Sequence, residues 1–400
     1  MSASAPSTAL LDTLLERRLR CSAAYFDAYA EPLARLCHRM AERFARGGRL
    51  IAVGRSPAAR SDVRHVTVEF VHPVIVGKRA LPAIGLAVEG GPLAAQLELV
   101  AEADDIAVAF EAGEAETARA VAVARARGCL TIAFERSGAE WELVPEVDDP
   151  FVAQELVETA YHVLWELVHV FFEHRGLLVG RATRPLHDTG ASSFLYPFLA
   201  EGETDLEAVV GDVRASVAMK AHEVGELRAQ TLTEGRDALI SAAADLRAAF
   251  AAGGRLLALG NGGSATDAMD VVADFRAAPQ GWPAWPALDL TEDAAILTAL
   301  ANDIGVEAIF SRQVIAHGRP EDVLVVLSTS GGSANVIAAL AEARRRGMRT
   351  IAFVGYDGGR IAAERLADHT VITRSQHIPR IQEAQASAYH AIRELVEAAP

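Results

Sequence analysis

Cysteine is scarce in this 400-residue sequence, which has three cysteines and no Cys-x-x-Cys pair. Cys21, Cys37 and Cys129 are too few and too scattered for a disulfide framework or a structural zinc module, so we expect buried free thiols. No stretch of about 18 uncharged apolar residues occurs, and the first residues lack the basic and apolar segments of a secretory signal. The sequence therefore predicts a cytoplasmic protein that binds no membrane.

Basic residues are also in the minority, with 38 Lys and Arg against 53 Asp and Glu, a formal net charge of -15. This charge repels polyanions outside any local basic patch, which excludes general binding to nucleic acids or to a membrane surface. With 51% hydrophobic and 23% charged residues, the chain has enough apolar material for packed cores. Its length favours two domains of about 150 to 200 residues each.

The chain contains an internal repeat. ERFARGGRLIAVGRS, whose strand ends at Gly54, matches RAAFAAGGRLLALGNG, whose strand ends at Gly260, and ARARGCLTIAFERSG matches ARRRGMRTIAFVGYDG. A third match pairs AQELVETAYHVLWELV with IQEAQASAYHAIRELVE. In each copy, amphipathic helices alternate with short apolar strands, which predicts a parallel sheet covered by helices on both faces.

The repeat predicts two α/β domains, residues 1–175 and 205–400, each a doubly wound parallel sheet with a leading helix. Between them, residues 176–204 lose the alternation and gather turn residues, so we interpret this segment as a linker.

Two loops of the second copy have the composition of an anion site. Residues 260–264, GNGGS, follow a strand and precede a helical pattern, so several backbone N–H groups can converge near a helix N-terminus. Such a loop alone is a weak signal, because any tight turn favours glycine and asparagine. Residues 328–333, STSGGS, follow the strand VLVVL and again enter a helix. Two such loops at the carboxyl ends of parallel strands favour a phosphate site over two ordinary turns.

These loops belong to a longer resemblance. In order, GNGGSATDAMD, ANDIGVEAIFSRQV, GRPEDVLVVLSTSGGS and RIQEAQASAYH resemble the motifs of phosphoheptose isomerases, which are members of the sugar isomerase (SIS) family. The match covers residues 205 to 397, approximately. Such enzymes interconvert sedoheptulose 7-phosphate and a manno-heptose 7-phosphate through an enediolate, with a metal, commonly zinc, beside the sugar.

The resemblance implies roles for individual residues of the second copy. The residues expected to bind the phosphate are Ser328, Thr329, Ser330 and Ser333. Those expected at the sugar are Asn261, Gly262, Gly263, Ser264, Asn302 and Asp303. Gln382 matches a ligand of both metal and sugar, and His390 matches the metal-ligand histidine that also serves as acid or base.

The second copy departs from the family at one pair of positions. Where the family has His and Glu four residues apart, this sequence has Asp270 and Asp274, which still lie on one helix face. With Gln382 and His390 they could hold a divalent ion, although carboxylates in place of an imidazole favour manganese or magnesium over zinc. Asp274 is the expected base and His390 its assistant. The alternative is that both aspartates simply face solvent.

The first copy has the opposite pattern. His65 and Glu69 align with the two aspartates, and with Gln154 and His162 they complete the four positions that resemble the isomerase metal site. This nitrogen and oxygen set suits zinc. The phosphate loop is replaced by residues 110–116, whose three glutamates repel phosphate. We therefore expect a metal here, either structural or acting with Glu69 and His162 on a sugar held by the second copy.

Two functions are consistent with these features. The first is an aldose-ketose isomerase acting on a heptose 7-phosphate or a similar sugar phosphate, with a divalent cofactor for which zinc is preferred. The second is a non-catalytic SIS protein that binds a sugar phosphate or a protein partner. In either case we expect a homodimer that assembles four SIS domains.

Overall fold

The computed structural model describes residues 4–74, 78–111, 113–173, 178 and 205–398. The predicted linker lies outside the described residues, apart from Leu178. The chain divides into two compact units. The first unit comprises residues 22–149 and 153–222, and the second comprises residues 1–21, 150–152 and 223–400. The domain boundaries inferred from the repeat stay a prediction.

The first unit is built on a five-stranded parallel sheet with the order β2-β1-β3-β4-β5. Its strands are β1 (Leu50–Val53), β2 (Ala83–Leu86), β3 (Ile106–Ala109), β4 (Leu130–Ala133) and β5 (Trp141–Glu142). The helices of the first copy of the repeat are α1 (Ser4–Ala45), α2 (Pro57–Val71), α3 (Leu93–Val100), α4 (Ala115–Ala126) and α5 (Pro150–Glu173).

The second unit contains a five-stranded parallel sheet with the order β10-β9-β8-β6-β7. Its strands are β6 (Leu256–Leu259), β7 (Ala287–Asp289), β8 (Val323–Ser328), β9 (Arg349–Gly355) and β10 (His369–Thr373). The helices that accompany them are α6 (Leu206–Glu234), α7 (Arg236–Ala251), α8 (Gly263–Arg276), α9 (Ala294–Asp303), α10 (Ile309–His317), α11 (Ala334–Arg345), α12 (Gly359–Ala363) and α13 (Ile378–Glu397). Helices α1, α5 and α6 contribute residues to both units.

The predicted fold class, two doubly wound parallel sheets, is confirmed. The second sheet is covered on both faces, since Leu256 and Ala258 pack into one apolar cluster while Leu257 and Leu259 pack into another. This alternation follows from the two-residue period of a strand. The strand order is the same in both sheets and reverses between β1 and β3 and between β6 and β8. In open α/β sheets the ligand crevice lies at this reversal, beyond the carboxyl ends of the strands.

The repeated Gly-Gly-Arg sequence has a structural cause. Gly253 ends α7 with a φ of 79°, a region that favours glycine, and a Cβ on Gly254 would overlap the carbonyl oxygen of Glu321. Arg255 then pairs with the buried carboxylate of Asp322 at 2.9 Å. The first unit repeats this arrangement with Gly47, Gly48, Arg49, Asp104 and Asp105. The strands β1 and β6 therefore follow helix-to-strand junctions of the same kind.

Within the described part of the chain, every helix is too short or too polar to span a bilayer.

Candidate functional site

The two predicted loops of the second unit lie where its strand order reverses. The first leads from β6 into α8, whose N-cap residue is Gly262, and the second leads from β8 into α11, whose N-cap residue is Ser333. Gly262 has no side chain, and the side chain of Ser333 makes no capping bond to the backbone amides of α11. Helix N-termini that are not capped by a side chain are suited to binding anions, because their amides and the helix dipole favour negative charge.

The hydroxyl groups of the second loop already organise its backbone. Ser328 Oγ accepts a hydrogen bond from the amide of Gly331 at 3.2 Å, and Ser330 Oγ accepts one from the amide of Gly332 at 3.3 Å. A hydroxyl that accepts an amide keeps its own proton for another acceptor, such as a phosphate oxygen. Ser330 is exposed, and Thr329 is half-buried.

A pair of amide side chains joins the two loops. Asn261 donates to Asn335 Oδ1 at 3.0 Å, and Asn335 donates back to Asn261 Oδ1 at 2.9 Å. The same Asn335 oxygen accepts the amide of Val336 in the first turn of α11 at 2.9 Å. Asn335 was not among the predicted site residues, although an amide two residues after the hydroxyl-rich loop was a signal that could have identified it.

Gln382 lies beside the first loop. Its Nε2 donates to Asp267 Oδ2 at 3.1 Å, and a Cβ on Gly263 would lie 2.5 Å from that nitrogen, so the glycine leaves room for the amide. Asp267 is a second residue that the sequence analysis missed. It lies within the GNGGSATDAMD motif, one helical turn after the loop.

Further along the same two helices, Asp274 and His390 form a buried pair. Asp274 Oδ2 lies 3.3 Å from His390 Nε2, and the ring of His390 contacts those of Phe151 and Tyr389, with centroid distances of 5.0 and 4.7 Å. Asp270 is buried rather than facing solvent, and its Oδ2 accepts a hydrogen bond from the Tyr389 hydroxyl at 3.4 Å.

Asp270, Asp274 and His390, all of them described, are not among the groups whose ligand atoms lie within 4.8 Å of one another. A metal bound by these residues and Gln382 stays a prediction.

Asn302 and Asp303 lie at the end of α9 and are exposed. Asn302 Nδ2 donates to Asp303 Oδ1 at 2.7 Å. Their predicted contact with a sugar stays a prediction.

In the first unit, His65, Glu69 and His162 are buried and come together, with ligand atoms all within 4.8 Å of one another. The two histidine Nε2 atoms are 3.2 Å apart. Two nitrogens bound at about 2.05 Å to one tetrahedral zinc ion would lie about 3.3 Å apart, so the donor set fits zinc. Gln154 lies on α5 two turns before His162 and is half-buried.

The protonation state of His65 also suits a ligand. Burial, reinforced by the neighbouring charge of His162, holds the pKa of His65 well below its ordinary value. The ring is therefore neutral at neutral pH, and a neutral imidazole is the form that binds metals. The same 3.2 Å contact is also compatible with a hydrogen bond between two neutral rings.

The C-terminal half of the chain is similar in sequence to known proteins. The SIS domain family matches residues 221–355. The phosphoheptose isomerase of Chlorobium phaeobacteroides is 44% identical over 173 residues, which are 42% of this chain and 76% of that protein. The phosphoheptose isomerase of Desulfovibrio desulfuricans is 43% identical over 182 residues, 45% of this chain and 86% of that protein.

A similar fold is also present in a solved structure. The C-terminal domain of glucosamine-fructose-6-phosphate aminotransferase from Francisella tularensis aligns with 97% of this chain and 94% of its own, with a TM-score of 0.58 and 9% identity. At that identity the likeness shows the fold alone. The chain thus belongs to the SIS-domain family, with two sheets of the sugar-isomerase type. Within that family, its C-terminal half is homologous to the phosphoheptose isomerases.

Proposed function

We propose that the protein is an aldose-ketose isomerase acting on a sugar phosphate of the heptose 7-phosphate class. The observation that carries this proposal is the combination, within the second unit, of two helix N-termini whose N-cap residues make no capping bond and a buried Asp274–His390 pair. The first feature suits a phosphate and the second suits proton transfer. Both lie on elements that are homologous to the phosphoheptose isomerases.

In this proposal the phosphate binds between the loops. Ser328, Thr329, Ser330 and Ser333 donate their hydroxyl protons to its oxygens, and the first turns of α8 and α11 supply backbone amides. The bridge between Asn261 and Asn335 holds the two loops at a fixed separation, so little ordering is left to occur on binding.

The proton transfer takes place at the other end of the crevice. The Asp274 carboxylate removes a proton from the carbon next to the carbonyl of the substrate, which gives an enediolate. It returns that proton to the neighbouring carbon, while the His390 ring moves a proton between the two substrate oxygens. Because Arg393 donates to the Asp274 backbone oxygen at 2.9 Å, this end of α8 is anchored to α13.

A divalent metal remains part of the proposal, with zinc preferred. His65, Glu69, Gln154 and His162 would hold it in the first unit. Bound there, it would supply either structural cross-linking or polarisation of an oxygen. Glu69 and His162 are proposed to act in catalysis only in the second case.

The test is turnover by the purified protein. Incubation with sedoheptulose 7-phosphate should yield an aldose 7-phosphate, and Asp274→Asn should reduce the rate by about 10² or more, because it removes the base. Asp237→Asn, which changes an exposed aspartate on α7, is the matched control and should retain full activity. Wild-type protein that binds the substrate without converting it would exclude the isomerase.

One observation favours the second candidate, a non-catalytic sugar-phosphate-binding protein. Asp270, which stands where the family has a ligand histidine, is bonded to Tyr389. Binding without turnover in the same experiment would support this function.

We also propose a homodimer. The second unit exposes Ile304 and Val306 by 54% and 61%, and Ile296 and Ile315 are also exposed. Exposed apolar side chains clustered in sequence indicate a contact surface. Ile304→Asp with Val306→Asp should halve the molar mass measured by light scattering. Leu99→Asp, at an 84% exposed position of the first unit, should leave it unchanged. A wild-type monomer would contradict the dimer.

A further inference from the structure

Glutamate carboxylates occupy the helix N-termini at the ligand edge of the first sheet. Glu111 Oε2 accepts the amide of Ser56, the N-cap residue of α2, at 3.0 Å. Glu114 is itself the N-cap residue of α4, and its Oε2 accepts the amides of Glu116 and Thr117 at 2.8 and 3.2 Å. The N-termini of α2 and α4, which lie beside the strand-order reversal, are thus hydrogen-bonded to carboxylates of the chain itself.

Two further glutamates bind amides at the same edge. Glu116 Oε1 accepts the amide of Leu93, the first residue of α3, at 2.8 Å. Glu135 Oε2 accepts the amide of Gly113 at 2.7 Å. Charge-assisted bonds of this kind between a carboxylate and backbone N–H groups are the same bonds that a phosphate would make.

The second unit differs at the corresponding positions. The N-cap residues of its α8 and α11 are Gly262, which has no side chain, and Ser333, whose side chain makes no capping bond. Both crevices lie at the same place in sheets of the same strand order, but they differ in what is bonded to their backbone amides. The amides of the second are not capped by these side chains, whereas those of the first are bonded to carboxylates.

The side chains that line the first crevice carry more negative than positive charge, which also disfavours phosphate. It is a cavity of about 440 Å³ lined by Arg55, Ser56, Glu111, Glu114 and Glu135. Arg55 pairs with Glu114 at 3.0 Å. The amide of Glu116 is the main cause that lowers the pKa of the Glu114 carboxyl, which therefore stays ionised at neutral pH.

We propose that Glu111 and Glu114 act as internal substitutes for a ligand phosphate, so that the crevice of the first unit rejects phosphorylated ligands. They are specificity-determining residues for this unit. The inference concerns the first unit alone and does not depend on the isomerase function of the second.

The test is a gain of phosphate binding. In Glu111→Gly with Glu114→Ser, glycine suits the φ of 52° at position 111, and serine preserves an N-cap for α4. Inorganic phosphate should then shift the amide NMR signals of Ser56 and Thr117 saturably, with an affinity at least about tenfold above wild type, because nearby like charge has been removed. The wild-type signals should show no saturable shift up to a phosphate concentration about tenfold above the midpoint of the variant's titration.

The control removes the same charge elsewhere. Glu98→Ala with Glu140→Ser changes two exposed glutamates of the first unit and should leave these amide signals unresponsive. If the first double variant does not fold, Glu111→Gln with Glu114→Gln takes its place and should also gain binding. Saturable shifts in the wild type, or none in a folded variant, would overturn the proposal. Failure of the isomerase hypothesis would instead appear at the amides that start α11.

Discussion

A few amide and carboxylate side chains determine which hydrogen-bond groups each crevice offers to a ligand. In the second unit, Asn261 and Asn335 tie two loops together, while Gly263 leaves space for the Gln382 amide. In the first, Glu111 and Glu114 take the amides that loops of this kind would offer to a ligand. Two sheets with the same strand order therefore present different hydrogen-bond groups at their ligand edges.

The histidine pair of the first unit leads to a prediction about metal content. Purified wild-type protein should contain a divalent ion, and His65→Ala and His162→Ala should each lose most of it, since either change removes one nitrogen ligand. Elemental analysis after dialysis measures this directly. His72→Ala, at an exposed position after α2, serves as the control. Unchanged metal content in both ligand variants would leave the two rings as a packed hydrogen-bonded pair.

At the level of residues, the internal repeat made part of the first unit's site predictable from the sequence. His65 and His162 are distant in sequence, and only the alignment with the second copy indicated that they meet, as the structure places them at 3.2 Å. The amide contacts of Glu111 and Glu114 were not predictable. The sequence shows their charge, but the direction of each carboxylate depends on the left-handed backbone at position 111 and on the cap of α4. The contact between Asp270 and Tyr389 had no sequence signal.

At the scale of elements, the junction before β6 should be sensitive to added volume. Gly254→Ala places a methyl group against the carbonyl oxygen of Glu321, so we expect a loss of about 2 kcal/mol or more in the free energy of unfolding. Gly47→Ala adds its methyl group where nothing lies within 4 Å, and its cost of about 1 kcal/mol comes from the positive φ alone. Chemical denaturation measures both. Equal losses would contradict the steric explanation.

Helix α5 should make stability depend on pH. His169 is buried, with ring nitrogens 2.8 and 3.0 Å from the carbonyl oxygens of Trp165 and Arg79. Burial, reinforced by the charge of Lys78, lowers its pKa to about 4. An unfolded histidine titrates near about 6.5, so between these values the unfolded state holds more protons and stability falls as pH decreases.

The measurement compares wild type with His169→Gln, which cannot titrate. The wild type should lose up to about 1.4 kcal/mol more per pH unit as pH falls from about 6.5 to 4, and above 6.5 the difference between the two should be constant. Parallel curves across that range would show that His169 does not couple folding to protons.

Element patterns were the most predictable part of the fold. Glycines that end helices, together with the alternation of helical and strand patterns, indicated both sheets. Each of these patterns depends only on residues that are neighbours in the sequence. The ion pairs of Arg49 with Asp105 and of Arg255 with Asp322 were not predicted, since each joins residues more than fifty positions apart.

For the whole molecule, the two units share a strand order and differ in what their crevices can hold. The second has the two loops, the buried Asp274–His390 pair and the homology on which the proposed sugar-phosphate isomerase rests. The first has a donor set that fits zinc and a crevice closed to phosphate by its own glutamates. The proposed phosphate site therefore belongs to the second unit.

The most direct test of the central claim is exchange with solvent. Sedoheptulose 7-phosphate incubated with the protein in D₂O should incorporate deuterium at the carbon next to the carbonyl, because an enediolate exchanges its abstracted proton with water. The double variant Asp274→Asn with Glu69→Gln should abolish that incorporation. Substrate that binds with no deuterium incorporated in the wild type, or exchange that persists in the double variant, would contradict the assigned chemistry.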